Sequence, residues 1–273
     1  MRTRRHGFTL VELVVVIVIT GIMAAAFTVF FVPAIKAYFD TRRRAEMTDA
    51  ASTALRRIAR DVHRAVPNSI RIPNSQCFEL VPTKTGGIFR RATDIANAGA
   101  DPLDITTTDA SFDVLSALSG TVAAGDSVVI GNQNTNDVYT GATRATIAAW
   151  TTPNPAGAAV GTGRISLTAA TQFPSGYDGA RFQVVDANEQ SVFYVCDGAG
   201  NLLRLVRAFT AMAPAACPAG GEVLATNVDA CQFVYDPNHG ATQQSGFVWM
   251  RFELLSGGER MALSSGAHVS NVP

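Results

Sequence analysis

From Phe8 to Val32 the chain reads FTLVELVVVIVITGIMAAAFTVFFV, an apolar run that carries one charge, Glu12. At about 1.5 Å rise per residue it makes a helix of some 37 Å, enough to cross a hydrocarbon layer of about 30 Å. After Val32 the pattern turns amphipathic. Ile35, Phe39, Leu55, Ile58, Val62 and Val66 recur at spacings built from threes and fours, with Arg56, Arg57, Arg60, Asp61 and Arg64 between them. The residue before a proline is pushed out of the α region, so the Val66-Pro67 step ends a helix predicted over 8–66. Pro33 and Gly21 predict bends or local melting within it. A helix of this length needs partners along it. The pattern assigns residues 8–32 to a membrane or another apolar medium and the remainder to the domain that follows.

Beyond Pro67 the helical period fades, and short β-branched and aromatic runs alternate with turn formers. The expected strands are Ser69 to Ile72, Cys77 to Val81, Ser127 to Ile130, Arg144 to Trp150, Arg164 to Thr168, Arg181 to Val185, Val192 to Cys196, Leu202 to Val206, Ala230 to Tyr235, Phe247 to Leu255 and Arg260 to Leu263. Most should be antiparallel. Two hairpins are predicted, one closed by Asp197 to Asn201 and one by Ser256 to Gly258. Between about Ala92 and Gly163 the composition shifts to Ala, Gly, Thr, Asn and Asp, which predicts a loop-rich stretch within a β-rich domain over 67–273. Asp236 to Gly240, DPNHG, reads as a tight turn.

Charge excludes one class of partner. With 22 basic and 22 acidic residues no global field draws the chain to nucleic acid. The basic residues cluster nonetheless, at Arg2, Arg4 and Arg5, at Arg42 to Arg44, and at Arg56, Arg57, Arg60 and Arg64, where a solvated helix face is the plainer reading. Four cysteines, Cys77, Cys196, Cys217 and Cys231, all follow the apolar segment, and none has a CxxC or Cys/His metal spacing. An even count beyond an export signal predicts disulfides; nearness in the chain favours Cys217 with Cys231, and free buried thiols are the alternative.

A secretory signal with an A-x-A-like site at Ala24 and Ala26 would account for the apolar run, as would a plain signal anchor, but neither accounts for Glu12. A carboxylate in such a run costs up to about 2.5–3.5 kcal/mol at a membrane centre, and a disposable signal has no reason to carry it. A short basic leader ending in Gly7, followed by Phe8-Thr9-Leu10-Val11-Glu12, resembles the leader of type IV prepilins. The resemblance implies an α+β, type IV pilin-like fold: a long N-terminal helix, transmembrane in its first half, packed on a mostly antiparallel C-terminal domain. It also implies that residues 1–7 are removed by a prepilin peptidase cutting between Gly7 and Phe8, that the new Phe8 amine is methylated, and that Glu12 pairs with the Phe8 amine of a neighbouring subunit during assembly. Capping its own helix N-terminus is the local alternative for Glu12. Lys and Arg flank the span on both sides, so charge bias leaves orientation nearly undecided and the leader carries it.

Further stretches, A-E-x-T-D from Ala45, T-A-L-R-R-x-A-R-D from Thr53, P-N-S-I-R from Pro67, G-G-x-F-R-R from Gly86, V-F-Y-V-C-D from Val192, V-x-A-C-x-F-x-Y-D from Val228 and the closing H-V-S-N-V-P, resemble the O-type minor pilins of mannose-sensitive haemagglutinin (MSHA) pilus biogenesis. This implies a minor pilin with no catalysis or cofactor of its own. Its partners would be major and minor pilins, the prepilin peptidase, the inner-membrane assembly platform and, before assembly, the membrane, with the globular part in the periplasm and later at the cell surface. A minor pseudopilin of a type II secretion system, a membrane-anchored adhesin using the middle segment and an anchored extracytoplasmic enzyme are the competing readings. No GxSxG, HExxH, P-loop, GxGxxG or EF-hand pattern occurs, and Asp101 and Asp104 lack calcium-ligand spacing.

Overall fold

The computed structural model describes residues 7–175, 179–239 and 245–272. Its fold is α+β. Helix α1, Leu10–His63, is continuous for 54 residues, about 81 Å, with Pro33 inside it. Neither Pro33 nor Gly21 interrupts it: a proline removes a single backbone hydrogen bond, and the turns on either side keep theirs. The helix stops short of Val66 because its last residues exchange helical bonds for sheet-like ones. Val66 N–H donates to the Val81 carbonyl at 2.8 Å, and Thr83 N–H donates to the Arg64 carbonyl at 2.8 Å.

Two sheets complete the scaffold around α1. The first has the order β1-β2-β9-β10-β11, formed by β1 (Arg71–Asn74), β2 (Cys77–Leu80), β9 (Ser191–Cys196), β10 (Asn201–Arg207) and β11 (Glu222–Thr226). The second is β12-β13-β14, formed by β12 (Val228–His239), β13 (Ser245–Ser256) and β14 (Glu259–Ser270). Both expected hairpins are present, β9 with β10 and β13 with β14. Met47, Ala51, Ala54, Leu55, Ile58 and Val62 form the buried stripe of α1, on one core with Phe78, Tyr194, Phe233 and Phe252. Burying that stripe, rather than helix propensity, stabilises the distal half of α1.

Strands β2 and β9 pair directly, from Cys77 opposite Val195 to Leu80 opposite Val192. The intervening chain therefore leaves this sheet and returns to it at one place. Within that excursion a six-stranded antiparallel sheet forms in the order β3-β8-β5-β6-β7-β4, from β3 (Thr85–Ile88), β4 (Asp109–Val114), β5 (Ser127–Val129), β6 (Arg144–Thr151), β7 (Gly163–Thr171) and β8 (Arg181–Val185). Its ends meet: Phe89 bridges Val114, and Leu115 N–H donates to the Ile88 carbonyl at 2.8 Å, closing a small barrel. Phe89, Phe112, Ile147, Ile165 and Phe182 fill it. The stretch expected to be loop-rich supplies β4 and a short helix, α2 (Asp137–Thr140), beside the two strands expected within it, β5 and β6. Its small residues suit the tight wall of a barrel, where Gly163 lies under the Trp150 ring.

Barrel and scaffold meet at a buried polar joint. The Arg71 guanidinium bonds Glu79 through Nε at 2.8 Å and lies 3.5 Å over the Tyr139 ring, while the Tyr139 hydroxyl donates to the Ser69 carbonyl at 2.8 Å. Burial pushes the Glu79 carboxyl up, against the opposing pull of the Ser191 hydroxyl and of Arg71.

The disulfides are Cys77–Cys217 and Cys196–Cys231, with Cα separations of 5.7 and 6.4 Å. The pairing expected from nearness, Cys217 with Cys231, does not form. Phe233 N–H donates to the Ser75 carbonyl and Cys196 N–H to the Gln76 carbonyl, which ties β12 and β9 to the same turn and brings Cys231 beside Cys196, leaving Cys217 to close on β2. Asp236 to His239 is not a tight turn. These residues extend β12, with a register shift between Asp236 and His239. Gly240 and the leader residues Arg2, Arg4, Arg5 and His6 lie outside the described residues.

Candidate functional site

The start of α1 carries a reciprocal cap. Thr9 has extended backbone geometry, and its hydroxyl oxygen accepts the Glu12 N–H at 3.2 Å. In return Glu12 Oε2 accepts the Thr9 N–H at 3.0 Å and the Thr9 hydroxyl at 3.1 Å. This Thr-x-x-Glu arrangement satisfies amides that a helix start otherwise leaves unpaired. Glu12 therefore makes the local contacts that one reading of the sequence expected, and it makes them through one carboxylate oxygen.

Gly7 lies just outside the helix with nothing within 4 Å of where a side chain would start, and Phe8 is 82% exposed. A protease could reach the bond between them without unfolding any element. From Leu10 to Phe39 the large apolar side chains of α1 are almost all exposed. Among the described residues α1 is the one helix long and apolar enough to cross a membrane. The hydroxyls in this stretch are satisfied internally, Thr20 donating to the Val16 carbonyl at 2.7 Å and Thr28 to the Ala24 carbonyl at 2.9 Å, as a lipid-facing helix requires.

Several polar groups of the globular part are held in structural contacts. Asp113, fully buried in the barrel, accepts Arg164 Nε at 2.8 Å, Asn154 Nδ2 at 2.8 Å and the Asp101 N–H at 2.7 Å. Asp101 bonds the Ser111 hydroxyl at 2.6 Å, and Asp104 the Thr106 N–H at 2.8 Å. Asp236 bonds His239, whose ring stacks on Phe247 at 4.7 Å. Among the described residues no group of three or more His, Cys, Asp or Glu side chains is arranged to hold a metal ion. A cavity of about 310 Å³ opens at one mouth of the barrel over Phe89, Leu103 and Ile130.

Sequence reasoning placed Glu12 and Phe8 at this helix start but did not identify Thr9 as the cap; the T-x-x-E spacing before an apolar run is the signal that marks it. Residues 2–28 match the family model described as the prokaryotic N-terminal methylation motif. No curated protein and no solved structure matches the chain. The match covers the leader junction and most of the apolar run over 8–32, and supports a pilin-like or pseudopilin-like N-terminus.

Proposed function

We propose that the chain is a minor, prepilin-like structural subunit of a type IV pilus of the MSHA kind, without catalysis of its own. A prepilin peptidase cuts between Gly7 and Phe8, and the Phe8 amine is methylated. Residues 8–32 hold the subunit in the inner membrane until the assembly platform passes it, with other pilins, into a filament. The observation that carries this reading is the methylation-motif match at residues 2–28, which includes the accessible Gly7-Phe8 junction. Two disulfides downstream of the span support a periplasmic globular part, because such bonds persist in oxidising compartments.

In assembly Glu12 accepts the Phe8 ammonium of a neighbour, neutralising two charges that would be costly alone in an apolar bundle. Capping and pairing are compatible, since the Thr9 bonds use Oε2 and leave Oε1 for the neighbour. The same motif is consistent with a minor pseudopilin of a type II secretion system.

Mass spectrometry of the mature N-terminus tests the processing step. The expected species begins with methylated Phe8; a chain starting near Phe27 defeats the reading in favour of ordinary secretion. Glu12→Ala should leave processing intact and reduce incorporation into filaments, and normal incorporation of that variant would remove Glu12 from assembly.

A further inference from the structure

The arginines of α1 fall into two groups. Those nearer the apolar half are neutralised, Arg42 by Glu46 at 2.8 Å, Arg43 by Asp40 at 3.2 Å and Arg44 by Glu259 at 2.6 Å. Farther along, Arg56, Arg57 and Arg60 are exposed on the side opposite the buried stripe, and among the described residues none has a carboxylate partner. Arg56 donates only to the Thr53 hydroxyl, at 3.0 Å. Asp61 stands four residues after Arg57, where a helical ion pair would form, but its carboxylate is turned inward to the Tyr194 hydroxyl and to Arg204 at 3.2 Å. Arg56 and Arg60, also four apart, repel each other. The helix dipole favours cations in the last turn and fades within it, so it accounts for Arg60 and not for Arg56 and Arg57.

We infer that Arg56, Arg57 and Arg60 form a subunit contact whose partner is the acidic turn of a neighbouring pilin-like subunit's α1 in the filament. This rests on the filament reading above. Anionic lipid is too far away to be the partner: Arg56 lies about 36 Å past Val32 along the helix, several times the screening length of about 8 Å. Helices that start from one membrane run parallel, so each meets its neighbour's side face at an axial offset. This chain itself shows the complementary pattern: Asp49, exposed and without a basic partner among the described residues, precedes Arg56 and Arg57 by about two turns. A parallel helix of that pattern displaced by roughly 10 Å sets a carboxylate level with Arg56 and Arg57.

The test expresses full-length wild type, Arg56→Gln/Arg57→Gln/Arg60→Gln and Arg56→Lys/Arg57→Lys/Arg60→Lys in cells lacking the native copy. Processing is read by mass spectrometry, folding by thermal unfolding in detergent, and incorporation by the amount co-sedimenting with sheared filaments. The glutamine variant should be processed and should melt like wild type yet reach filaments at one-fifth of the wild-type level or less, while the lysine variant stays within twofold. Incorporation of the glutamine variant within twofold of wild type overturns the inference, as does equal loss of both variants or a lowered melting temperature that explains the loss. Wild type that is processed but absent from filaments defeats the filament reading itself, and this contact with it.

Discussion

Replacing Ile58 by alanine tests whether the distal half of α1 is part of the folded core or only lies beside it. Ile58 is fully buried between the helix and the two scaffold sheets, within the cluster that contains Phe78, Tyr194 and Phe252. Removing its three outer carbons forfeits about 2.4 kcal/mol of transfer free energy at ~0.8 kcal/mol per carbon. The cavity left behind adds about 1–2 kcal/mol, because a helix held by further contacts above and below cannot collapse onto it. The expected loss is about 3–4 kcal/mol, a fall in melting temperature of about 6–16 °C for a chain of this size. The assay is thermal unfolding of the oxidised full chain in detergent, followed by near-ultraviolet circular dichroism, which reports the aromatic core. Arg57→Ala, one residue away on the exposed face, should stay within about 0.5 kcal/mol. A melting temperature for Ile58→Ala within 2 °C of wild type, on the order of the expected error for a surface change, would refute docking of this half of the helix.

Asp113→Asn should destabilise the chain by about 2–3 kcal/mol at neutral pH, since it removes the buried carboxylate that Arg164 bonds at 2.8 Å and leaves that guanidinium the longer pair with Asp101, at 3.4 Å. Burial raises the Asp113 carboxyl, but the bonds from Arg164, the Asp101 amide and Asn154 outweigh it and hold the group below the usual carboxylate range. Its stabilisation is therefore present above an unfolded value of about 3.9 and is lost as pH falls through the lower folded value; unfolding compared at pH 7 and pH 3 should show the variant with a flatter acid arm. Burial raises Asp101, so its contribution has the opposite sign and offsets part of this slope. Joint substitution of Cys196 and Cys231 by serine opens a link across 35 residues, worth up to about 4 kcal/mol in the chain-entropy account, and should appear as a lower urea midpoint under oxidising conditions. Gly163→Ala puts a methyl 2.3 Å from Trp150 Cη2, and a loss of about 1–3 kcal/mol with altered tryptophan emission is expected; wild-type emission and stability would show that the ring moves freely.

Much of the architecture was legible locally. The apolar run, the switch to a period of threes and fours, and Val66-Pro67 located α1 to within a few residues, because each depends on neighbours in the chain. The runs VFYVC and FVWMRFELL announced β9 and β13 for the same reason. The strands that were missed, β3 (TGGI), β4 (DASFDV) and β11 (EVLAT), are short or rich in Gly, Asp and Ala. Their own residues do not favour a strand; their partners supply the missing hydrogen bonds, β3 from β8 and β4 from β7. Within the segment read as loop-rich, β4 joined the expected β5 and β6 in the barrel wall on the same grounds.

The sequence by itself carried the methylation motif over residues 2–28 and the apolar run behind it, since both are patterns of near neighbours in the chain and need no distant contact to be recognised. Only the tertiary structure decided the disulfide pairing, because bond formation follows proximity in space, and β2 lies against β9 although more than a hundred residues separate them. It alone decided that residues between those strands close on themselves, since closure requires Phe89 to meet Val114 across a complete circuit of strands. It also decided which arginines of α1 are neutralised: Arg44 finds Glu259 on β14, whereas Asp61, the natural partner of Arg57, is claimed by Tyr194 and Arg204 from the sheet beneath.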